Sequence, residues 1–350
     1  MAKASTAHLS PPAVAALKLD DDARIAYINT PRWISYTLAK TTLQRLEDVL
    51  VLPPSRRMRN LLLVGETNNG KTMLLERFAE RHRPKDNPGG DHIVAPVVMV
   101  ESPPVPDEAR LYSNILEYLF APFKYNDRVD KKGSQVLRLL HDVQCRMLIL
   151  DDINNLLAGN IGRQQVFLNV LRTLGNALKI PIVTAGTPDA FRVLHTDPQL
   201  ANRFDPIYLP LWTIDVDLQR LLMSFEQQLP LKRPSNLIEP NRTATLLSKS
   251  EGHLGDLAEL LMKCAVEAVR SGSEAITDKI IGAVDWIAPS DRRKVSELHK
   301  IASKKKKSST KSEDAARTAP TSRAAKPKSP GTPRPARRPG KARSSKRPRA

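Results

Sequence analysis

The segment LLLVGETNNGKT, residues 61–72, places glycines, a lysine and a hydroxyl at the spacing of a phosphate-binding loop. Gly65 permits a sharp exit from the preceding apolar run, and Gly70 lets backbone amides approach phosphate oxygens. Lys71 would place a charge on the β and γ oxygens, and Thr72 would offer a hydroxyl to Mg²⁺. The eight positions that fit GxxxxGK[ST] are Gly65, Glu66, Thr67, Asn68, Asn69, Gly70, Lys71 and Thr72. Because the motif lies between a predicted strand and a predicted helix, we interpret it as a nucleotide cradle.

A second motif supplies the acid that such a loop requires. The apolar run RMLILDD, about 80 residues further on, ends in Asp151 and Asp152. An acid that closes a buried strand holds Mg²⁺ in ATP-hydrolysing proteins, so we assign Asp151, with Thr72, to the metal. Asp152 is then placed to orient or deprotonate the attacking water. The alternative for both acids is a solvated turn after a core strand. The intervening run VVMVES is typical of ATPases with an inserted strand and argues against small nucleotide kinases.

Two further residues are candidates for contact with the γ-phosphate. Thr187 closes the next apolar run, IPIVTAGT, and could sense the γ-phosphate there, with Thr184 as the second choice. Thr187 could equally cap the helix that begins at PDAF. Arg203 precedes a fifth apolar run; in a ring-forming ATPase that position faces the neighbouring subunit's nucleotide and stabilises the transition state in trans. The alternative for Arg203 is a surface arginine paired with Asp205.

Apolar runs alternate with helical patterns through the middle of the chain. The runs NLLLVG, HIVAPVVMVES, RMLILDD, IPIVTAGT and FDPIYLPLW are apolar at nearly every position. Such runs are typical of parallel strands covered on both faces. Between them, helical periodicity predicts helices over residues 72–83, 107–120, 133–144 and 163–178. The sequence therefore predicts an α/β fold around a parallel five-stranded sheet.

Composition divides the chain into five parts. Residues 1–22 are expected to be a flexible arm, and residues 23–54 a helical segment that stops at Pro53-Pro54. Residues 55–212 would form the nucleotide-binding core, and residues 213–288, helical throughout, a small lid domain. Residues 289–350 would form a linker and a basic tail, because the last 50 residues carry +15 of the net charge of +18. With almost nothing to bury, this tail is expected to be disordered.

Cysteine usage and apolar content limit the cellular compartment. Cys145 and Cys264 lie far apart and are expected to be buried free thiols in a reducing cytosol. No apolar run reaches the length of a membrane span, and the first 22 residues lack the apolar core of a secretory signal. We therefore expect a cytoplasmic protein that has no membrane partner.

Two basic segments are candidates for contact with DNA. The tail contains no aromatic residue that could stack on bases, so binding through it would be phosphate-directed, sequence-independent and steeply salt-dependent. The alternative is a tail that only promotes solubility. The segment FKYNDRVDKKG could line the pore of a ring assembly, or it could be a plain solvated loop. The candidate DNA-binding residues are Lys124, Arg128, Lys131, Lys132, Lys304, Lys305, Lys306 and Lys307.

Three segments together resemble the TniB family of ATP-binding transposition proteins, which are similar to TnsC-type regulators. They are RMRNLLLVGETNNGKT, the stretch from RMLILDD to PDAF, and DPQLANRFDPIYLPLW, and the resemblance covers roughly residues 20–288. It implies an AAA+ P-loop ATPase fold that uses ATP and Mg²⁺ to assemble on double-stranded DNA as a homo-oligomer, a ring or a filament. It also implies recruitment of a DDE-class transposase and a target-selection accessory protein, without chemistry on DNA by this chain. The residues that match the family's functional positions are Gly65, Gly70, Lys71, Thr72, Asp151, Asp152, Thr187 and Arg203.

The chain departs from the family pattern at two positions. The usual second acid is glutamate, and Asp152 is one methylene shorter, so slow hydrolysis is expected. The lid helix of related initiator-type ATPases often reads Gly-Asp-x-Arg, whereas this chain has Ala258 in place of the arginine. Neutralisation of the phosphate charge would then depend more on Lys71 and Arg203. Two alternatives stay open: a DNA-bound scaffold that binds ATP as a switch with little turnover, and a helicase loader, for which a 20-residue arm leaves little room.

Overall fold

The computed structural model describes residues 6–55, 57–196, 201–292 and 294. The chain divides into two units, residues 1–293 and 294–350. The second unit lies outside the described residues except for Lys294, and so do the predicted disordered tail and Lys304, Lys305, Lys306 and Lys307.

Five parallel strands form one sheet in the order β2-β3-β4-β1-β5. Their bounds are β1 Asn60–Gly65, β2 Val97–Glu101, β3 Met147–Asp151, β4 Ile182–Gly186 and β5 Phe204–Leu209. Every residue of β1, β3 and β4 is buried, which explains why these runs are apolar rather than alternating. The predicted parallel five-stranded sheet is confirmed, and the carboxyl ends of β1, β3 and β4 meet at one edge.

Helices cover both faces of the sheet and build a further layer beside it. In the first 200 residues they are α1 Pro11–Ala16, α2 Asp21–Asn29, α3 Thr37–Leu50, α4 Lys71–Arg81, α5 Glu108–Tyr118, α6 Val129–Asp142, α7 Ile161–Leu178 and α8 Pro188–Leu194. After β5 they are α9 Val216–Gln228, α10 Pro240–Ser250, α11 Leu254–Arg270 and α12 Asp278–Ala283. Helices α3 and α4 cover one face, and α5 to α8 cover the other.

The helices after β5 bury a hydrophobic core of their own. Its residues come from α9 to α12 and include the apolar stripe of α11, together with Ile28 of α2. Cys264 lies in this core and Cys145 lies beneath the sheet, and both are buried free thiols, as predicted. Burial raises the pKa of each thiol to about 12. None of the helices in the described part of the chain is long and apolar enough to cross a membrane.

The N-terminal region differs from the expected flexible arm. Residues 11–16 and 21–29 are helical, and the backbone N–H of Ser10 donates to the carbonyl of Gln227 in α9. The Arg24 side chain, 1% exposed, donates to Glu274 Oε1 at 2.7 Å. The prediction of a loose arm was wrong from residue 6 onward, because a long-range buried ion pair leaves no signal in local composition. The segment 31–36, expected to be helical, instead has no regular secondary structure and leads into α3.

Candidate nucleotide-binding site

The phosphate-binding loop connects β1 to α4 as the sequence predicts. Gly70 has a φ of 78°, in the left-handed region that a β-carbon disfavours, and the helix begins at the next residue. The Lys71 ammonium turns back over the loop and donates to the carbonyls of Gly65, at 2.9 Å, and Glu66, at 2.8 Å. Burial lowers the pKa of Lys71, and the carboxylates of Asp151, Asp152 and Glu66 oppose that shift. A partly desolvated ammonium is therefore already fixed at the loop.

Asp151 and Asp152 lie at the carboxyl end of β3, beside the loop. Asp151 is 8% exposed, and its Oδ1 accepts a hydrogen bond from the backbone N–H of Asp152 at 2.8 Å. Asp152 has a φ of 51°, which aspartate tolerates better than most residues. Both acids and Thr72 line one cavity of about 960 Å³. Mg²⁺ that is bound to a nucleotide takes phosphate oxygens and waters as ligands and needs few ligands from the protein. A carboxylate and a hydroxyl that line the same cavity can supply those few.

A second cavity, of about 650 Å³, opens on the other side of the same loop. Four residues line both cavities: Thr67, Asn68, Lys71 and Thr72. The second cavity is mainly apolar; its walls come from the segment 31–36, from α9 and from α11, and include Trp33, Ile34, Tyr36, Phe225, Ala258 and Met262. An apolar pocket that shares a loop with a carboxylate-lined one fits a flat base joined to a phosphate chain.

The apolar cavity was not predicted from the sequence. Trp33 and Ile34 fall within residues 23–54, which were predicted to be helical. Pro31 was the signal that could have limited that helix, since the residues around proline favour extended backbone. Ala258, noted only as a missing arginine, lines the cavity and leaves it uncharged at that position.

The tip of the loop is hydrogen-bonded to the start of α11. The backbone N–H of Gly255 donates to the carbonyl of Asn68 at 2.9 Å, and the Asn68 side chain donates to Asp256 Oδ2 at 2.9 Å. Asp256 is 3% exposed, and its other oxygen accepts from Arg292 at 2.6 Å. Asn69 donates to the carbonyls of Leu209, at 2.8 Å, and of the following proline, at 3.0 Å. The loop is thus hydrogen-bonded to α11 and to the carbonyls at the end of β5, contacts that the sequence pattern did not reveal.

The two threonines proposed to sense the γ-phosphate lie in different environments. The Thr184 hydroxyl is fully buried within β4 and makes no hydrogen bond inside the described part of the chain, so this second choice is wrong. Thr187 occupies the N-cap position of α8, yet its side chain makes no capping hydrogen bond. Its backbone N–H donates to Asn154 Oδ1 at 2.6 Å. Asn154 lines the carboxylate cavity where Thr187 was expected, and no sequence signal marked it.

Arg203 lies at the opposite end of the sheet from the loop. Its carbonyl accepts from the N–H of Asn60, where β1 begins, and Gly65 ends the same strand. At about 3.3 Å per residue, the five steps of β1 place the Arg203 backbone about 17 Å from Gly65, where the loop of its own chain begins. Its guanidinium donates to Asn176 Oδ1 at 2.7 Å rather than to Asp205. This placement rules out contact with phosphates of the same chain and leaves contact with a neighbouring subunit as the proposed role.

One of the four basic residues predicted to contact DNA between residues 124 and 132 is buried. Lys124, Arg128 and Lys131 are exposed, but Lys132 is 2% exposed. Its ammonium donates to Ser113 Oγ at 3.0 Å and to the Tyr125 carbonyl at 2.9 Å. The prediction that Lys132 contacts DNA was wrong, because α6 begins at Val129, earlier than expected, and turns this lysine inward.

Substitution of Lys132 tests this structural role. We expect Lys132→Ala to lower the free energy of unfolding by about 1–3 kcal/mol, because two buried oxygens lose their donor. Lys131→Ala is the matched control: its exposed ion pair with Asp127, at 2.8 Å, is screened by solvent, so its loss should change stability far less. Urea denaturation of both variants measures the difference. Equal stability of the two would show that the ammonium of Lys132 is solvated.

Solved structures share this fold. Cdc6p from Pyrobaculum aerophilum aligns with a TM-score of 0.52 at 20% identity, over 74% of this chain and 68% of its own. The ORC1 protein of Aeropyrum pernix, solved in complex with DNA, aligns with a TM-score of 0.53 at 19% identity, over 77% of this chain and 69% of its own. Together with the sheet order, these neighbours confirm the predicted AAA+ P-loop ATPase fold.

A curated relative and a family model extend the comparison. A ClpA homolog of Trieres chinensis, described as the ATP-binding subunit of an ATP-dependent protease, is 23% identical over 181 residues, which cover 51% of this chain. The chain spans only 19% of that relative's length. The family model described as bacterial TniB protein matches residues 24–214, which is more than half of the chain. The match includes the phosphate-binding loop, Asp151, Asp152 and Arg203. The chain therefore belongs to the TniB family.

Proposed function

We propose that this protein is an ATP-dependent, DNA-binding regulator of DNA transposition that acts in the cytoplasm. It binds ATP with Mg²⁺, assembles on double-stranded DNA as a ring or filament, and recruits a DDE-class transposase with a target-selection accessory protein. It hydrolyses ATP and performs no chemistry on the DNA. The observation that carries the proposal is the pair of joined cavities, one apolar and one lined by Asp151 and Asp152, on either side of the phosphate loop.

Different groups at the site would bind different parts of ATP. The apolar cavity takes the base, and the backbone amides between Gly65 and Gly70 take phosphate oxygens, as at other helix N-termini. Lys71 exchanges its two carbonyl partners for phosphate oxygens. Because charged hydrogen bonds are stronger than neutral ones, this exchange favours the loaded state.

Thr72 and Asp151 would hold Mg²⁺, which supplies charge neutralisation at the phosphate oxygens when bound. Their oxygens face the same cavity, so the donor set fits a cation that keeps several waters and takes few protein ligands. Asp152 orients the attacking water and accepts its proton. Arg203 of a neighbouring subunit completes the site by balancing the charge of the transition state.

Contact with DNA is supported by charge rather than by a defined surface. The last 50 residues hold 17 lysines and arginines against two acids and no aromatic residue. Such a segment binds phosphates and does not read bases. The Aeropyrum pernix neighbour was itself solved with DNA. Recruitment of a transposase rests on membership of the TniB family.

Electron microscopy of the protein with duplex DNA, in ATP or in ADP, tests this proposal. We expect ordered rings or filaments on DNA with ATP and their loss with ADP. Absence of assembly on DNA with either nucleotide would contradict the proposal.

A scaffold that scarcely turns over is the second candidate, favoured by the short side chain of Asp152. Steady-state phosphate release with and without duplex DNA separates the two candidates. DNA-stimulated release supports the ATPase, and assembly without release supports the scaffold.

Deletion of residues 303–350 tests the role of the tail. We expect weaker DNA binding, by a similar factor for all sequences, and a flatter salt dependence, because each neutralised phosphate contributes about 0.9 to the log–log slope on B-DNA. ATP binding should be unchanged, which serves as the control for folding. Fluorescence anisotropy at several salt concentrations measures the slope, and an unchanged slope would show that the tail only promotes solubility.

A further inference from the structure

One asparagine joins the two strand ends that face the phosphate loop. Asn154 lies in a short 3-10 helix, Ile153–Ala158, directly after Asp152. Its Nδ2 donates to Asp152 Oδ1 at 2.5 Å, and its Oδ1 accepts from the backbone N–H of Thr187 at 2.6 Å. Asn154 also lines the carboxylate cavity. A single side chain thus connects the end of β3 to the end of β4.

The orientation of this amide is determined by its partners. A backbone N–H can only donate, so the group facing Thr187 must be the Asn154 oxygen. The NH₂ group then faces Asp152, whose ionised carboxylate can only accept. A flipped amide or a hydrophobic side chain would not satisfy both neighbours, so position 154 requires a donor and an acceptor on one side chain.

The local backbone brings Asn154 into this position. Ile153 is fully buried and anchors the 3-10 helix against β4. A β-carbon on Gly186 would lie 2.7 Å from Ile153 Cγ2 and 3.4 Å from Asn154 Oδ1. Glycine at the end of β4 therefore allows the close approach on which the two hydrogen bonds depend.

We propose that Asn154 is a positioning residue for ATP hydrolysis, which holds the Asp152 carboxylate in register with the end of β4. The hydrogen bond fixes one oxygen of Asp152 and leaves the other for a water molecule. Because β4 pairs with β1, with Gly186 opposite Val64, the same contact aligns Asp152 with the strand that carries the phosphate loop. This inference rests on the proposed hydrolysis of ATP.

The first test compares two neighbouring asparagines. Asn154→Ala is expected to lower kcat for DNA-stimulated phosphate release by about 10–100-fold, the scale of a misplaced reacting group. KM and the affinity for a non-hydrolysable ATP analogue should stay within about 3-fold of wild type. The midpoint of thermal unfolding should stay within a few degrees of wild type. Asn155→Ala is the matched control, because Asn155 lies in the same 3-10 helix and its side chain donates to the Ser102 carbonyl, at 3.2 Å, rather than to Asp152. Its kcat should be near wild type.

Two further variants separate positioning from a structural role. Asn154→Asp keeps an acceptor for the Thr187 N–H but sets a carboxylate against Asp152, so we expect a loss at least as large as that of alanine. Recovery of activity in Asn154→Asp would show that only the link to Thr187 matters. In an Asp152→Asn background, Asn154→Ala should lower kcat little further, because both changes act through the same carboxylate.

A readout without turnover is amide hydrogen exchange. The peptide that contains Thr187 should exchange faster in Asn154→Ala than in wild type or Asn155→Ala, in protein free of nucleotide. Full activity of Asn154→Ala, or equal losses from Asn154→Ala in the wild-type and Asp152→Asn backgrounds, would overturn the inference alone. Wild-type phosphate release no greater than that of Lys71→Ala would overturn the proposed hydrolysis and the inference together.

Discussion

Lys71→Ala is expected to weaken ATP binding by about 100-fold or more and to abolish all ATP-dependent assembly on DNA. Of the described residues that are shared by the walls of the two cavities, Lys71 is the one basic residue, and Ala258 adds no charge from α11. Hydrogen bonds to charged groups contribute about 1.5–3 kcal/mol each, and every 1.4 kcal/mol is a tenfold change in affinity. Equilibrium binding of a fluorescent ATP analogue measures the effect.

The control for Lys71→Ala removes a neighbouring charge that should not matter. Arg83 lines the carboxylate cavity but not the apolar one, is 74% exposed, and lies 3.7 Å from Glu80. Arg83→Ala should therefore change affinity by no more than about 3-fold, in keeping with an exposed charge. Thermal unfolding of both variants establishes that the loop still folds without the ammonium. Tight ATP binding by folded Lys71→Ala would refute the assignment of the loop.

Arg203→Ala is expected to leave the ATP affinity of the monomer near wild type and to abolish assembly and turnover. The backbone of Arg203 lies at the start of β1, far from the loop of its own chain, so the proposed role of its guanidinium is at the nucleotide of another subunit. Arginines supplied in trans contribute roughly a thousand-fold or more to phosphoryl transfer. Arg192→Ala, which removes an exposed arginine paired with Asp189, is the matched control and should be active.

A mixture of two inactive variants provides the sharper test of Arg203. Asp152→Asn retains Asp151 for Mg²⁺, so this variant should bind ATP and form persistent assemblies on DNA. Where its Arg203 faces the intact Asp152 of an Arg203→Ala subunit, one complete site is rebuilt and DNA-stimulated hydrolysis should return. A mixture that co-assembles and stays inactive, or poor ATP binding by Arg203→Ala alone, would exclude Arg203 from this role.

Much of the sheet was predictable because its strands are buried on both faces. NLLLVG and RMLILDD are continuous apolar runs, and each ends in the residue that begins the site, Gly65 or Asp151. The phosphate loop was equally predictable, since its chemistry depends on fixed local spacing. Helix starts were predicted less well: α6 begins at Val129, where exposed charged residues mask the first turn.

The missed features all depend on residues far apart in the chain. Lys132 is a charged residue that can be buried because Ser113 Oγ and the Tyr125 carbonyl accept hydrogen bonds from its ammonium. Trp33 and Tyr36 form a cavity wall only once α9 and α11 lie opposite them. Asn154 is visible as a functional residue only when β3 and β4 are side by side. Local patterns carry no information about such partners.

The buried pair of Arg24 and Glu274 has a mechanical consequence. It makes α2 part of the helical layer that follows β5, whereas α3 packs against the sheet. Residues 31–36 connect these two helices and also form a wall of the apolar cavity. A shift of α2 relative to α3 would therefore move these residues and change the width of the cavity. A base bound in the proposed site would oppose such a shift.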